Sequence, residues 1–250
     1  MAGMEPLTGK GALVTGGSRG IGRAIVKRLA ADGATVVFSY LRNEGAARQV
    51  AAEVGDAGGK AFAVRADQGR LADLRQLFAE TEQRIDGLDI VVCNAADGLP
   101  AAIPDVTEDM YDRYMAINAK GPFFIIQYAG AKLRDGGRII TISTVNTRLH
   151  APGGAVYTGG KGALENFTKV AALTFGRRGI TANIVSPGAT DTDLLRKANP
   201  GDTFAGTVSL TSLGRLGRPT DIASAVAMLA GPDAAWISGQ NIGVDGGIWP

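Results

Sequence analysis

At 250 residues and 45% hydrophobic, the chain is sized for one α/β domain, and its net charge of +2 gives no sign of a nucleic-acid or membrane-surface protein. A single cysteine, Cys93, excludes an internal disulfide and a multi-cysteine zinc site, and a single histidine, His150, argues against a histidine metal cluster or a Ser-His-Asp triad, so no metal is expected. No apolar run reaches the ~20 residues that cross a bilayer, and residues 1–10 lack the charged-then-apolar order of a secretory signal, so the expectation is a soluble cytoplasmic protein.

Residues 12–14 read as a short buried strand, followed by glycines and then by helical spacing over 21–29. A second strand is expected at 34–39, a helix at 44–58 with Val50 and Val54 one turn apart, and a third strand at 60–66. Leu71, Leu74, Leu77 and Phe78 mark the buried stripe of the next helix, and 88–93 is a fourth strand. A long helical region over 108–133 is interrupted near Lys120-Gly121-Pro122. Then come a strand at 138–143, a helix at 155–175, a strand at 181–186, a helix at 221–229 and a last strand at 241–244. This alternation predicts a parallel sheet covered by helices on both faces, in one domain over 1–250 without linker or repeat. The stretch 190–219, rich in Gly, Thr, Asp and Pro, reads as a flap beside the site.

The glycine-rich turn Gly16-Gly17-Ser18-Arg19-Gly20-Ile21-Gly22 follows a strand and opens a helix, the context in which such a motif binds a pyrophosphate. The first amides of a helix have no intrahelical partner, and the helix dipole favours an anion there. In such sheets ligands lie beyond the carboxyl ends of the strands. Those ends carry small or polar residues here: Asp67-Gln68, Asn94-Ala95-Ala96, Ser143-Thr144 and Pro187-Gly188. An NAD site normally has an acid after the second strand for the ribose 2′-hydroxyl. This chain has Tyr40-Leu41-Arg42 instead, with Arg19 in the glycine turn, and two guanidiniums suit a 2′-phosphate. The expected cofactor is therefore NADPH/NADP. Asp67 is expected at the adenine amino group, or else as a cap for the following helix.

Tyr157 and Lys161 stand four residues apart on one face of a helix. A phenol is a poor acid or base at neutral pH, but a nearby cation lowers its pKa and fits it for proton transfer. Together with Thr15-Gly16-x-x-x-Gly20-Ile21-Gly22, Asn94-Ala95, Asn118, Ser186-Pro187-Gly188 and the tail from Gly214-Arg215 to Gly246-Gly247, this makes the sequence resemble the short-chain dehydrogenase/reductase family over essentially its whole length. The resemblance implies a Rossmann-type, doubly wound, mainly parallel seven-stranded sheet, a nicotinamide cofactor and a homotetramer. It also implies roles: Tyr157 as the general acid, Lys161 on the nicotinamide ribose and tuning Tyr157, Asn118 in a water relay, and Thr192 at the carboxamide.

Two departures from the family pattern stand out. Ala96 replaces a usual glycine, so its methyl is expected to crowd the cofactor ribose or to exclude a glycine-only backbone angle. The catalytic serine, commonly thirteen residues before the tyrosine, falls on Thr144, with Ser143 beside it as the alternative hydroxyl. Cys93 reads as a small buried residue and His150 as a solvated loop side chain. The leading expectation is an NADPH-dependent ketoreductase acting on a small-molecule or carrier-protein-bound ketone. The alternatives are an enoyl reductase of the same family and a non-catalytic NADPH-binding regulator. The two tryptophans of the final segment, Trp236 and Trp249, point to a buried subunit contact.

Overall fold

The seven strands are β1 (Gly11–Val14), β2 (Thr35–Tyr40), β3 (Lys60–Arg65), β4 (Leu88–Cys93), β5 (Leu133–Ile142), β6 (Thr181–Pro187) and β7 (Asn241–Val244). In the computed structural model, which describes residues 5–150, 152–201 and 203–248, they form one sheet in the order β3-β2-β1-β4-β5-β6-β7. Every pairing is parallel. The helices are α1 (Gly20–Ala31), α2 (Glu44–Asp56), α3 (Leu71–Arg84), α4 (Glu108–Met115), α5 (Gly121–Lys132), α6 (Asn146–Leu149), α7 (Ala155–Phe175), α8 (Asp193–Ala198), α9 (Ala205–Leu210) and α10 (Pro219–Ala230).

Strand side chains alternate between two cores, as the pleat requires. Val36, Phe38, Ile90, Val92, Ile140 and Ile142 pack with α1, α2 and α10 on one face. Leu13, Val37, Val91, Cys93 and Ile139 pack with α3, α5 and α7 on the other. Burial on both faces explains why strands such as Leu88–Cys93 are apolar at nearly every position. The chain leaves β1 toward β2 on one side and returns beside it as β4 on the other. The crevice at this switch point opens beyond the carboxyl ends of β1 and β4.

The expected elements are present, with three differences. β5 begins at Leu133 rather than near Arg138, because Leu133 pairs with Leu88 ahead of an irregularity between Leu88 and Ile90. The interruption at Lys120-Gly121-Pro122 is no break: a π-helical turn, Ala116–Lys120, joins α4 to α5. Pro122, which has no amide hydrogen to give to the ladder, follows directly on the π turn, and a Cβ at Gly121 would lie 2.2 Å from the Gln68 carbonyl oxygen. The flap holds two short helices, α8 and α9, and closes on itself through a parallel bridge between Thr190 and Gly217.

Candidate active site

The glycine turn is shaped by close approach. The Gly16 amide donates to the Ser39 hydroxyl at 3.0 Å, and the Gly17 amide to the Ser39 carbonyl at 2.9 Å, so β2 holds the turn from one side. From the other side the Asn94 amide group donates to the Thr15 carbonyl at 2.9 Å and to that of Gly16 at 3.2 Å. A Cβ at Gly22 would come within 2.1 Å of the Gly16 carbonyl oxygen, and Gly16 and Gly20 have φ of +69° and +53°. Only glycine fits these constraints without distortion. No side chain caps the first turn of α1. The result is a bare cradle at a helix N-terminus, which fits a pyrophosphate.

Around the cradle, Ser18, Gly20 and Ile21 are half-buried and Arg19 is exposed. Arg42 is exposed just beyond β2, beside half-buried Tyr40. Neither Arg19 nor Arg42 has a carboxylate partner among the described residues. Asp67 accepts from the Gly69 amide at 2.8 Å and pairs with Arg113 at 2.9 Å, so it organises the loop ahead of α3 but does not cap that helix, whose N-cap is Arg70. Gln68 is buried and donates to the carbonyls of Ala95 (2.7 Å) and Ile117 (2.8 Å), bracing the end of β4 against the π turn. Ala95 abuts the glycine turn: a Cβ at Gly16 would lie 3.0 Å from its Cα. Ala96 has an ordinary negative φ, so its backbone needs no glycine. Thr192 caps α8 and faces the glycine turn, where a Cβ on Gly20 would sit 3.4 Å from its methyl. Pro187 ends β6, and a Cβ at Gly188 would lie 2.8 Å from the Asp245 backbone.

The chemistry-bearing residues converge at the first turns of α7. Lys161 is 1% exposed; its ammonium donates to the Ile142 carbonyl at 2.8 Å and lies 5.9 Å from the centre of the Tyr157 ring. Burial brings the Lys161 pKa down to about 8, while Cys93 and Glu165 pull it upward. Burial pushes the Tyr157 phenol up to about 12. Desolvation sets the direction of this shift, against the lowering expected from the Lys161 spacing, and the phenol holds its proton throughout the neutral range. Gly98 covers the tyrosine ring so closely that a Cβ there would meet it at 3.0 Å. Asn118 is fully buried in the π turn, donating to the carbonyls of Asp97 (2.5 Å) and Tyr114 (2.9 Å). Gly160, between Tyr157 and Lys161, lets α7 approach it, since a Cβ there would meet the Asn118 Cβ at 2.9 Å. Burial pushes the Cys93 thiol up to about 12, which leaves it inert. His150 ends α6 with φ of 49° and is exposed.

Ser143 and Thr144 are separated by the pleat. Thr141 and Ser143 both face α7: the Thr141 hydroxyl meets that of Thr168 at 2.9 Å, and the Ser143 hydroxyl donates to Glu165 Oε1 at 2.5 Å. Thr144 Oγ1 accepts from the Asn146 amide at 3.2 Å, and its own proton has no acceptor among the described residues. A hydroxyl offers one proton and two lone pairs. The donor of Ser143 is thus engaged by a carboxylate, whereas that of Thr144 is available. Sequence reasoning passed over Glu165 and Thr147, although Glu165 continues the four-residue spacing of Tyr157 and Lys161 along α7.

The sequence model of a family described as enoyl-(acyl carrier protein) reductase matches residues 16–249. The angucycline C-6 ketoreductase LanV, solved with bound NADP, superposes with a TM-score of 0.92 at 42% identity, over 97% of this chain and 96% of that one. Versicolorin reductase 1 of Aspergillus parasiticus is 40% identical over 255 residues, 97% of each chain. The hydroxynaphthalene reductase-like protein Arp2 of Metarhizium majus is 39% identical over 254 residues, 96% of this chain and 95% of its own. The chain belongs to the short-chain dehydrogenase/reductase family. It is an oxidoreductase, built on the doubly wound sheet that its alternating pattern implies. No described helix is long and apolar enough to cross a membrane.

Proposed function

We propose that the protein is an NADPH-dependent ketoreductase for an apolar ring ketone. The observation that carries this reading is the group of apolar side chains beside Tyr157, namely Leu99, Val106, Met110 and Val156, around a cavity of about 10 Å³ that must widen, by movement of these side chains, to admit a ring. A relative named for a hydroxynaphthalene, a fused-ring phenol, and another named a C-6 ketoreductase support the same substrate class.

The bare glycine cradle would hold the pyrophosphate, Arg19 and Arg42 the 2′-phosphate, and Lys161 the nicotinamide ribose. A bound nicotinamide supplies the hydride. The Tyr157 phenol gives its proton to the carbonyl oxygen; an alkoxide is more basic than even a strongly desolvated phenolate, so this transfer runs downhill. Thr144 donates a hydrogen bond to the same oxygen, and the Lys161 ammonium stabilises the charge left on the phenolate. Asn118 ties the π turn to the loop after β4 and so sets the wall facing Tyr157.

The test is a panel of ring ketones, open-chain and carrier-bound ketones, enones and alcohols with NADPH, followed at the nicotinamide absorbance. Turnover of ring ketones alone supports the proposal; turnover confined to enones would establish the second reading, an enoyl reductase, which the family description favours. Turnover of nothing would leave the regulator. Replacing Arg19 and Arg42 together by alanine is expected to raise the KM for NADPH about 10–100-fold, the worth of one or two charge-assisted bonds, with little change for NADH. Preference of the unmodified enzyme for NADH would defeat this assignment.

We also propose a homotetramer. Trp236 is fully exposed and Leu173 is 85% exposed, whereas Ile237 and Ile242 pack on the protein's own core. Trp249 lies outside the described residues. Large apolar side chains left as bare as these are costly to leave in water. Sedimentation at micromolar concentration is expected to give four copies, and Trp236→Ala to shift the boundary toward smaller species; a monomeric boundary for the unmodified chain would refute it.

A further inference from the structure

We propose that Glu165 is a positioning residue that selects Thr144, rather than Ser143, as the hydroxyl presented to the substrate. The inference rests on the reading of Thr144 as the substrate's hydrogen-bond donor. Three observations carry it. Ser143, 3% exposed, donates its only hydroxyl proton to Glu165 Oε1 at 2.5 Å and so has none left for a ligand. Thr147 Oγ1 stands 2.9 Å from that same carboxylate oxygen and 3.0 Å from the Thr144 carbonyl, so its proton is shared between them. One oxygen on α7 thus grips the chain on both sides of Thr144.

The backbone completes the hold. The Ser143 amide donates to the Val185 carbonyl at 2.8 Å and the Val145 amide to the Pro187 carbonyl at 3.0 Å, so Thr144 lies between two main-chain anchors as well. Packing alone does not call for an acid at this place: Glu165 is not among the buried residues of α7, where Leu164, Thr168 and Ala171 supply the packing beyond Lys161. Glu165 is half-buried, and it lies one helical turn beyond Lys161 as Lys161 lies one turn beyond Tyr157. The strip of α7 that carries the proton donor and its cation therefore also holds the third group of the constellation, through a carboxylate whose bonds run to Ser143 and Thr147. Without that acceptor the buried Ser143 hydroxyl must seek another partner, and the loop bearing Thr144 loses its side-chain tether.

The test is a double-mutant cycle on kcat, with the full-length enzyme, NADPH and one accepted ketone. Glu165→Leu, which keeps the bulk and removes the acceptor, is expected to lower kcat about 10–100-fold, as small misplacements of a reacting constellation do, with KM for NADPH unchanged. Glu165→Gln retains an acceptor oxygen and is expected to recover most of that loss. In a Thr144→Val background, Glu165→Leu is expected to have little further effect, because it acts through Thr144. Full, additive losses in the cycle would overturn the proposal, as would a Glu165→Gln enzyme as impaired as Glu165→Leu. If Glu165→Leu does not fold, the pair Ser143→Ala with Thr147→Val removes the same bonds from the other side and must give the same cycle. Should Thr144→Val by itself leave kcat intact, it is the reading of Thr144 that fails, an outcome distinct from additivity.

Discussion

Tyr157→Phe is expected to reduce kcat for ketone reduction by about 10²–10⁴, the usual contribution of a positioned general acid, while NADPH binding, read by nicotinamide fluorescence, stays within a few-fold. The substitution deletes one hydroxyl and leaves the ring that packs beneath Gly98. Lys161→Ala is expected to damage both turnover and cofactor binding, because the ammonium serves both. The pH profile follows from the same burial. The Tyr157 phenol is pushed up to about 12, so it remains a donor across the accessible range. Lys161 is brought down to about 8, so it is charged below that value and neutral above it. In the free enzyme, kcat/KM for reduction should therefore fall as pH rises through about 8, and the fall should vanish in Lys161→Ala. A Tyr157→Phe enzyme with near-normal kcat, or a wild-type profile flat to pH 10, would remove Tyr157 or Lys161 from these roles.

The alternation that reveals the sheet is legible in the sequence because both faces of each strand are buried. Runs such as Leu88–Cys93 then stand out against helices with a single apolar stripe. The cradle is legible for a related reason: Gly16, Gly20 and Gly22 are demanded by backbone angles and by contacts that no side chain tolerates. What the sequence hides is long-range or cooperative. The pairing of Leu133 with Leu88 depends on a partner strand and an irregularity that no local pattern announces. The π turn reads as an interruption, since Gly121-Pro122 normally breaks a helix; its purpose becomes visible only with Asn118 buried against Gly160. The direction of the Tyr157 shift was also hidden. The four-residue spacing reveals the neighbouring cation but not the depth of burial, and burial is what shifts the phenol here. Glu165 was passed over because a carboxylate on a long helix reads as a solvated charge until the strand opposite it is known.

The largest further effect is expected at Thr144. Thr144→Val keeps the branched shape and removes one hydroxyl. Loss of a donor to a developing oxyanion typically lowers kcat by about 10²–10³, and that range is expected here, with KM for NADPH little changed. Ser143→Ala is expected to lower kcat only a few-fold. The serine hydroxyl is bonded to Glu165 at 2.5 Å, and Thr147 remains on that carboxylate after its removal. The side-chain bonds support the asymmetry, since the Ser143 hydroxyl is held by Glu165 of α7 as the Thr141 hydroxyl is by Thr168, whereas Thr144 has no such partner on α7. Thr144 Oγ1 uses one lone pair on the Asn146 amide, and its proton has no acceptor among the described residues. Thr144→Ser, which restores the hydroxyl without the methyl, is expected to return most of the activity. The deciding measurement is kcat for the three single variants with one accepted ketone. A large loss in Ser143→Ala beside a mild one in Thr144→Val would reverse the assignment and require the Ser143 hydroxyl to leave Glu165 when substrate binds. Mild losses in both would leave Tyr157 as the sole group orienting the carbonyl.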